Sequence, residues 1–162
     1  MRSIILKNTN FYIRLILSLT FLGHGLVSLG YSISYDLHYN LVDCINITNI
    51  SSEKIVFIQG CFDVLVSILL IFNFKLRPLL YIILIYFLGV CISSLVLYWN
   101  TTNSIFGIAE CLRRFPWILL SLYLLFELNG ESKYHFIRIA LSFAFIAHGF
   151  ASLGFLGLNQ GH

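Results

Sequence analysis

"IRLILSLTFLGHGLVSLG", residues 13–30, returns near the far end of the chain as "IRIALSFAFIAHGFASLG", residues 137–154. At an offset of 124, ten of the eighteen positions are identical: Ile13, Arg14, Leu17, Ser18, Phe21, His24, Gly25, Ser28, Leu29 and Gly30. Seven of them, Arg14, Leu17, Ser18, Phe21, His24, Gly25 and Ser28, follow the i, i+3, i+4, i+7 spacing that gathers side chains on one side of a helix. The positions that differ lie mostly on the other side. There, one apolar residue would serve lipid as well as another. The pair therefore reads as two copies of one helix with a matched polar stripe, containing a histidine, in an apolar setting.

Composition names the solvent. Of 162 residues, 59% are apolar and only 10% charged, with a mean hydropathy of +0.89. A soluble domain has about 25% charged residues, so this chain could not cover its own surface in water. A net charge of +3, scattered along the chain, gives no footprint for nucleic acid. Runs of about 20 apolar residues are needed to span a bilayer. Five stretches qualify as candidates: about 11–31, 55–74, 78–99, 114–128 and 135–157. Polar or turn-forming segments separate them, including "SSEK", "NFKLRP", "WNTTNS" and "ELNGESK". The fourth is short and can extend upstream through Ile105–Leu112, and Pro116 is well placed to start it. The first is too long, and lacks the cleavage signature, for a signal peptide.

Lysine and arginine set the orientation. Arg2, Lys7 and Arg14 put the N-terminus on the cytoplasmic side, and Lys75, Arg77, Lys133 and Arg138 mark the later inner turns. The C-terminus then lies outside. Trp99 and Trp117 fall at outer helix ends, where aromatic belts form. Arg113 and Arg114 land on the outer side, against the rule. The first and fifth spans run in the same direction, as parallel repeats require. The expected architecture is an all-α, four-helix transmembrane unit over residues 1–130. A fifth transmembrane helix, within residues 131–162, opens an incomplete second unit.

Ionisable residues inside a membrane are costly, and so are functional candidates. His24, Asp63 and His148 come out at similar estimated depth and form the candidate polar centre. A His–Asp pair between helices would suit proton handling or a quinone-like head group, and two histidines could ligate a haem. The bland alternative is that these groups hydrogen-bond neighbouring helices and fix packing. Small residues on the stripe, Ser18, Gly25 and Ser28 with their copies Ser142, Gly149 and Ser152, allow helices to approach closely. Glu110, Arg113 and Arg114 form an outer cluster, either a solvated interface or a site for an anionic group or partner. Cys44 and Cys111 could pair in an oxidising compartment. There is no CxxC, and His38, Asp43 and Cys44 match no metal-site spacing.

Three segments resemble the DoxX-like family of small bacterial integral membrane proteins. They are "RLILSLTFLGHGLVSLG", "IQGCFDVLVSILLIFNFKLRPLLYIIL" and "LRRFPWILLSLYLLF", together falling within about residues 11–128. In many members the acid after the second-helix glycine is glutamate, and Asp63 stands there in this chain. The resemblance implies a bacterial inner-membrane protein, sometimes associated with quinone-linked sulfur oxidation or oxidative-stress complexes. The fifth helix departs from a plain four-helix member. Three functional expectations follow: a membrane subunit of a redox or quinone-linked complex, a non-catalytic subunit that packs against other membrane chains, and a small-solute transporter.

Overall fold

The computed structural model describes residues 2–31, 51–99, 104–131, 133–152, and among these residues the chain is all helix and turn. The helices are α1 (Arg2–Ser28), α2 (Ser52–Ile71), α3 (Leu76–Trp99), α4 (Ser104–Leu128) and α5 (His135–Ser152). The stretches Asn8–Ser28, Ser52–Ile71 and Leu76–Val96 are long and apolar enough to cross a membrane. At about 1.5 Å per residue, twenty residues match a hydrocarbon core of about 30 Å. In α5, His135–Ala147 forms a shorter apolar stretch.

The fourth helix takes the upstream extension through Ile105–Leu112, and Pro116 does not start it. Pro116 lies inside α4, which begins twelve residues earlier at Ser104. A proline there withdraws the N–H that would bond the Leu112 carbonyl. Membrane helices tolerate such interruptions because neighbouring groups re-satisfy the backbone. Arg113 and Arg114 consequently stand within a helical run, so α4 is long enough to span but less apolar than α2 and α3.

Helix ends are written in local chemistry. After α1, Gly30 takes φ 86°, the Gly30 N–H donates to the Val27 carbonyl at 3.0 Å, and Tyr31 donates to Leu26 at 3.0 Å. This pair of bonds is a Schellman cap, and it needs a residue in the left-handed region. Gly130 closes α4 in the same way, with φ 82° and bonds from Gly130 to Glu127 and from Glu131 to Phe126. Asn73 plays this part after α2 with φ 55°. In the first "SLG", the terminal Gly30 therefore stops the helix. It does not belong to the packing stripe.

The chain falls into two compact units, Met1–Leu79 and Leu80–His162. In the first, α1 and α2 form an antiparallel pair: Gly25 meets Gly60 and Val64, while further back along α1 Ser18 meets Ser67, further forward along α2. Buried positions on α2, Val56, Gly60, Asp63, Ser67 and Leu70, alternate steps of four and three. On α1, Ser18, Phe21, Gly25 and Ser28 do the same. That is the seam of a left-handed helix pair.

In the second unit, α4 and α5 are likewise antiparallel. Phe115 meets Phe143 with ring centroids 5.1 Å apart, Tyr123 meets Tyr134 at 5.9 Å, and Phe126 stacks on Phe136 at 5.4 Å. Lys133 lies 4.2 Å over the Phe126 ring and pairs with Glu131 at 2.9 Å, tying down the turn. On α3, Leu80, Ile83, Leu84, Phe87, Cys91 and Ser94 make one buried face. The Cys91 thiol donates to the Cys111 carbonyl of α4 at 3.8 Å.

Gly30→Val should lower stability by roughly 1–2 kcal/mol, the cost of holding a branched side chain in the left-handed region. Gly23→Ala is the matched control, because nothing lies within 4 Å of the added carbon. Denaturant titration in detergent micelles, read by the loss of helical signal, checks the pair. The account expects a lowered midpoint for the first variant and an unchanged or raised one for the second.

Candidate functional site

The polar groups of the first unit lie along the α1–α2 seam, and glycine sets how close that seam can be. A Cβ built on Gly25 would fall 2.8 Å from a Val64 methyl and 3.0 Å from the Gly60 carbonyl oxygen. One on Gly60 would fall 2.9 Å from the Leu29 side chain and 3.1 Å from the Gly25 carbonyl. Real Cβ atoms do not come so near. The two backbones touch where the two glycines meet, so the dispersion contacts of their neighbours close up around that point.

About two turns along from this contact, Ser18 and Ser67 are both buried, with their hydroxyl oxygens 2.8 Å apart. Ser18 also donates to the Ser67 main-chain carbonyl at 3.0 Å. Each hydroxyl has one proton, so both bonds are made when Ser18 donates to the carbonyl and accepts from Ser67. Between the glycines and the serines stands Asp63. It is completely buried, and both of its carboxyl oxygens are shielded.

His24 is half-buried on α1. It precedes Gly25 as Asp63 precedes Val64, so both residues flank the closest approach of the two helices. Among the expected packing residues, Gly25 is buried and Ser28 is only 1% exposed. Phe21 and Leu17 fill the seam between them at 1% and 0%. The side chains of His148, Gly149 and Ser152 lie outside the described residues. Each belongs to α5 by its backbone. Ser142 is exposed and donates to the Arg138 carbonyl of its own helix at 3.0 Å.

At the other candidate cluster, Arg113 is exposed and Arg114 half-buried on α4, while the Glu110 side chain lies outside the described residues. Cys111 is a free thiol in this structure, and Cys44 lies outside the described residues. Among the described residues, no group of three histidine, cysteine or acidic side chains could hold a metal ion.

Gly60 and Tyr123 carry more of the packing than their sequence settings announce. Gly60 is half of the closest contact, and its signal in the sequence is the i, i+3, i+7 spacing it shares with Asp63 and Ser67. Tyr123 is wholly buried on α4 and adjoins Tyr134 in the turn before α5. Its sequence surroundings, "LSLYLLF", are those of any membrane-facing aromatic.

The expected apolar back of the repeat also needs correcting. On α5 that face, Phe136, Ala140, Phe143 and Ala147, packs on α4, with Ala140 and Ala147 only 2% and 3% exposed. The differences between the copies there are not neutral exchanges facing lipid. Ile16 and Gly23 of α1 are replaced by alanines, and Tyr12 and Leu19 by phenylalanines that meet α4 aromatics.

No protein family, curated protein or solved structure matches the chain.

Gly25→Leu should force α1 and α2 apart, because the added side chain enters space already held by Val64 and a backbone carbonyl. Overpacking typically costs about 1–3 kcal/mol. Gly60→Leu should cost a similar amount, and the double variant less than the sum, since both open the same gap. Melting in detergent checks all three, and full additivity would contradict a shared contact.

Proposed function

We propose that the chain is a non-catalytic integral membrane subunit whose polar seams fasten helices and hold it against other membrane chains. The observation that carries this reading is the fit at Gly25 and Gly60. Beside the buried Asp63, a single added carbon would lie 2.8 Å from a neighbour, which leaves no space for a head group between the two helices. Hydrophobic burial does not drive helices together in lipid. Close backbone contact and hydrogen bonds do, and the seam supplies both.

The finer architecture belongs to the same proposal. Residues 1–130 would form a four-helix unit of DoxX-like character in an inner membrane with the N-terminus cytoplasmic. α5 would be the first helix repeated. The repeat supports this through its ten identities, and the arginine-marked turns support the orientation.

A second reading, the membrane subunit of a redox or quinone-linked complex, rests on the wholly buried carboxyl of Asp63. A buried acid within a membrane helix is what a proton-handling site would use. His24 and His148 would then supply the remaining groups, with quinone or haem as cofactor.

Purification separates the two. The packing reading expects protein without a haem absorption band and without extractable quinone, both in the unaltered chain and in His24→Ala. It also expects Asp63→Asn to keep the helices together. A stoichiometric chromophore or quinone that is lost in His24→Ala would establish the redox reading instead.

A further inference from the structure

The two copies of the stripe have different surroundings. On α1 it is covered by α2, with Leu17 and Ser18 at 0% exposure and Phe21 at 1%. On α5 the matching residues are open: Leu141 is 54% exposed, Phe145 76%, and Ser142 exposed. The opposite faces show the reverse. Tyr12, Ile16, Leu19 and Gly23 are open or half-open on α1, whereas their counterparts on α5 pack on α4.

The substitutions follow this division. All four positions of the α4-contacting face differ between the copies, and all six positions buried on α1, Ile13, Leu17, Ser18, Phe21, Gly25 and Ser28, are the same. Lipid alone asks only for apolarity, and would not require a serine and an arginine at fixed positions on an uncovered face. In α1 the serine and glycine of this stripe fit one occupant, a helix presenting Gly60, Asp63 and Ser67. Identical groups at identical spacing offer an occupant the same hydrogen bonds and the same small-residue gap.

We propose that the α5 face bearing Leu141, Ser142 and Phe145 is a docking surface for a partner membrane helix of the α2 pattern. That helix is apolar and runs antiparallel to α5. It carries a glycine, an acid three residues on and a serine four further. The proposal rests on the packing role given above, and names the partner for one of its faces.

The test uses the full chain with Cys44, Cys61, Cys91 and Cys111 replaced and Ser142→Cys introduced. The probe is a separate helix of residues 51–75 with Cys61→Ala and Ser67→Cys, reconstituted with the chain in lipid vesicles and oxidised. Disulfides form only when Cβ atoms come within about 4 Å, so Ser142→Cys should cross-link roughly tenfold more than Ala144→Cys on the opposite face. Gly60→Leu in the probe, or Gly149→Leu in the chain, should abolish the difference. Equal cross-linking at both positions, or none at Ser142→Cys, would overturn the docking face. So would a Ser142→Cys chain that couples to itself and excludes the probe. Each of these leaves the α1–α2 seam, and the packing role it supports, standing.

Discussion

The contact of Gly25 with Gly60 is the constraint on which the first unit depends. In lipid, apolar side chains gain little by meeting each other, so association must come from close packing and from polar groups that find partners. Two glycines facing each other bring the backbones together. Ser18 can then reach Ser67 in a short double arrangement, and Asp63 is enclosed. A larger residue at either glycine would separate the whole line, because the serines lie on the same seam. The polar groups are thus held by the steric gap, and do not create it.

The second unit reaches a similar result by different chemistry. α4 meets α5 and the turn before it through Phe115, Phe143, Phe126, Phe136, Tyr123 and Tyr134, with Ala140 and Ala147 allowing the approach. Aromatic pairs with centroids between about 4.5 and 7 Å contribute beyond their area. Two stretches with ten matching residues are therefore used in two ways. α1 works through its small and polar face, and α5 through a back face rebuilt with alanine and phenylalanine.

Much of the fold was legible from periodicity. Five apolar segments gave five helices, and "NFKL" and "NGES" gave the short turns between helices, because Asn73, Gly130 and their neighbours carry recognisable turn chemistry. The first unit's seam was readable as well, since Ser18, Gly25, Ser28, Gly60, Asp63 and Ser67 stand at helical spacing in both segments. Pro116 misled because a proline is as suited to the first turn of a helix as to an interrupted membrane span, and its sequence neighbours do not separate the two. The partner of α5's back face was not legible either. Phe136, Ala140, Phe143 and Ala147 are as apolar as lipid-facing residues, and only the neighbouring helix distinguishes packing from solvation. Gly30 had a visible signal, a glycine after the last periodic residue.

The central claim is that Ser18 and Ser67 face each other across a seam drawn tight by glycine. In a chain freed of its native cysteines, Ser18→Cys with Ser67→Cys should oxidise within the membrane to an intramolecular disulfide. The account predicts near-complete closure for that pair and little for Leu19→Cys with Ser67→Cys, because Leu19 is 55% exposed on another face of α1. Equal closure of both pairs, or none of the first, would contradict it.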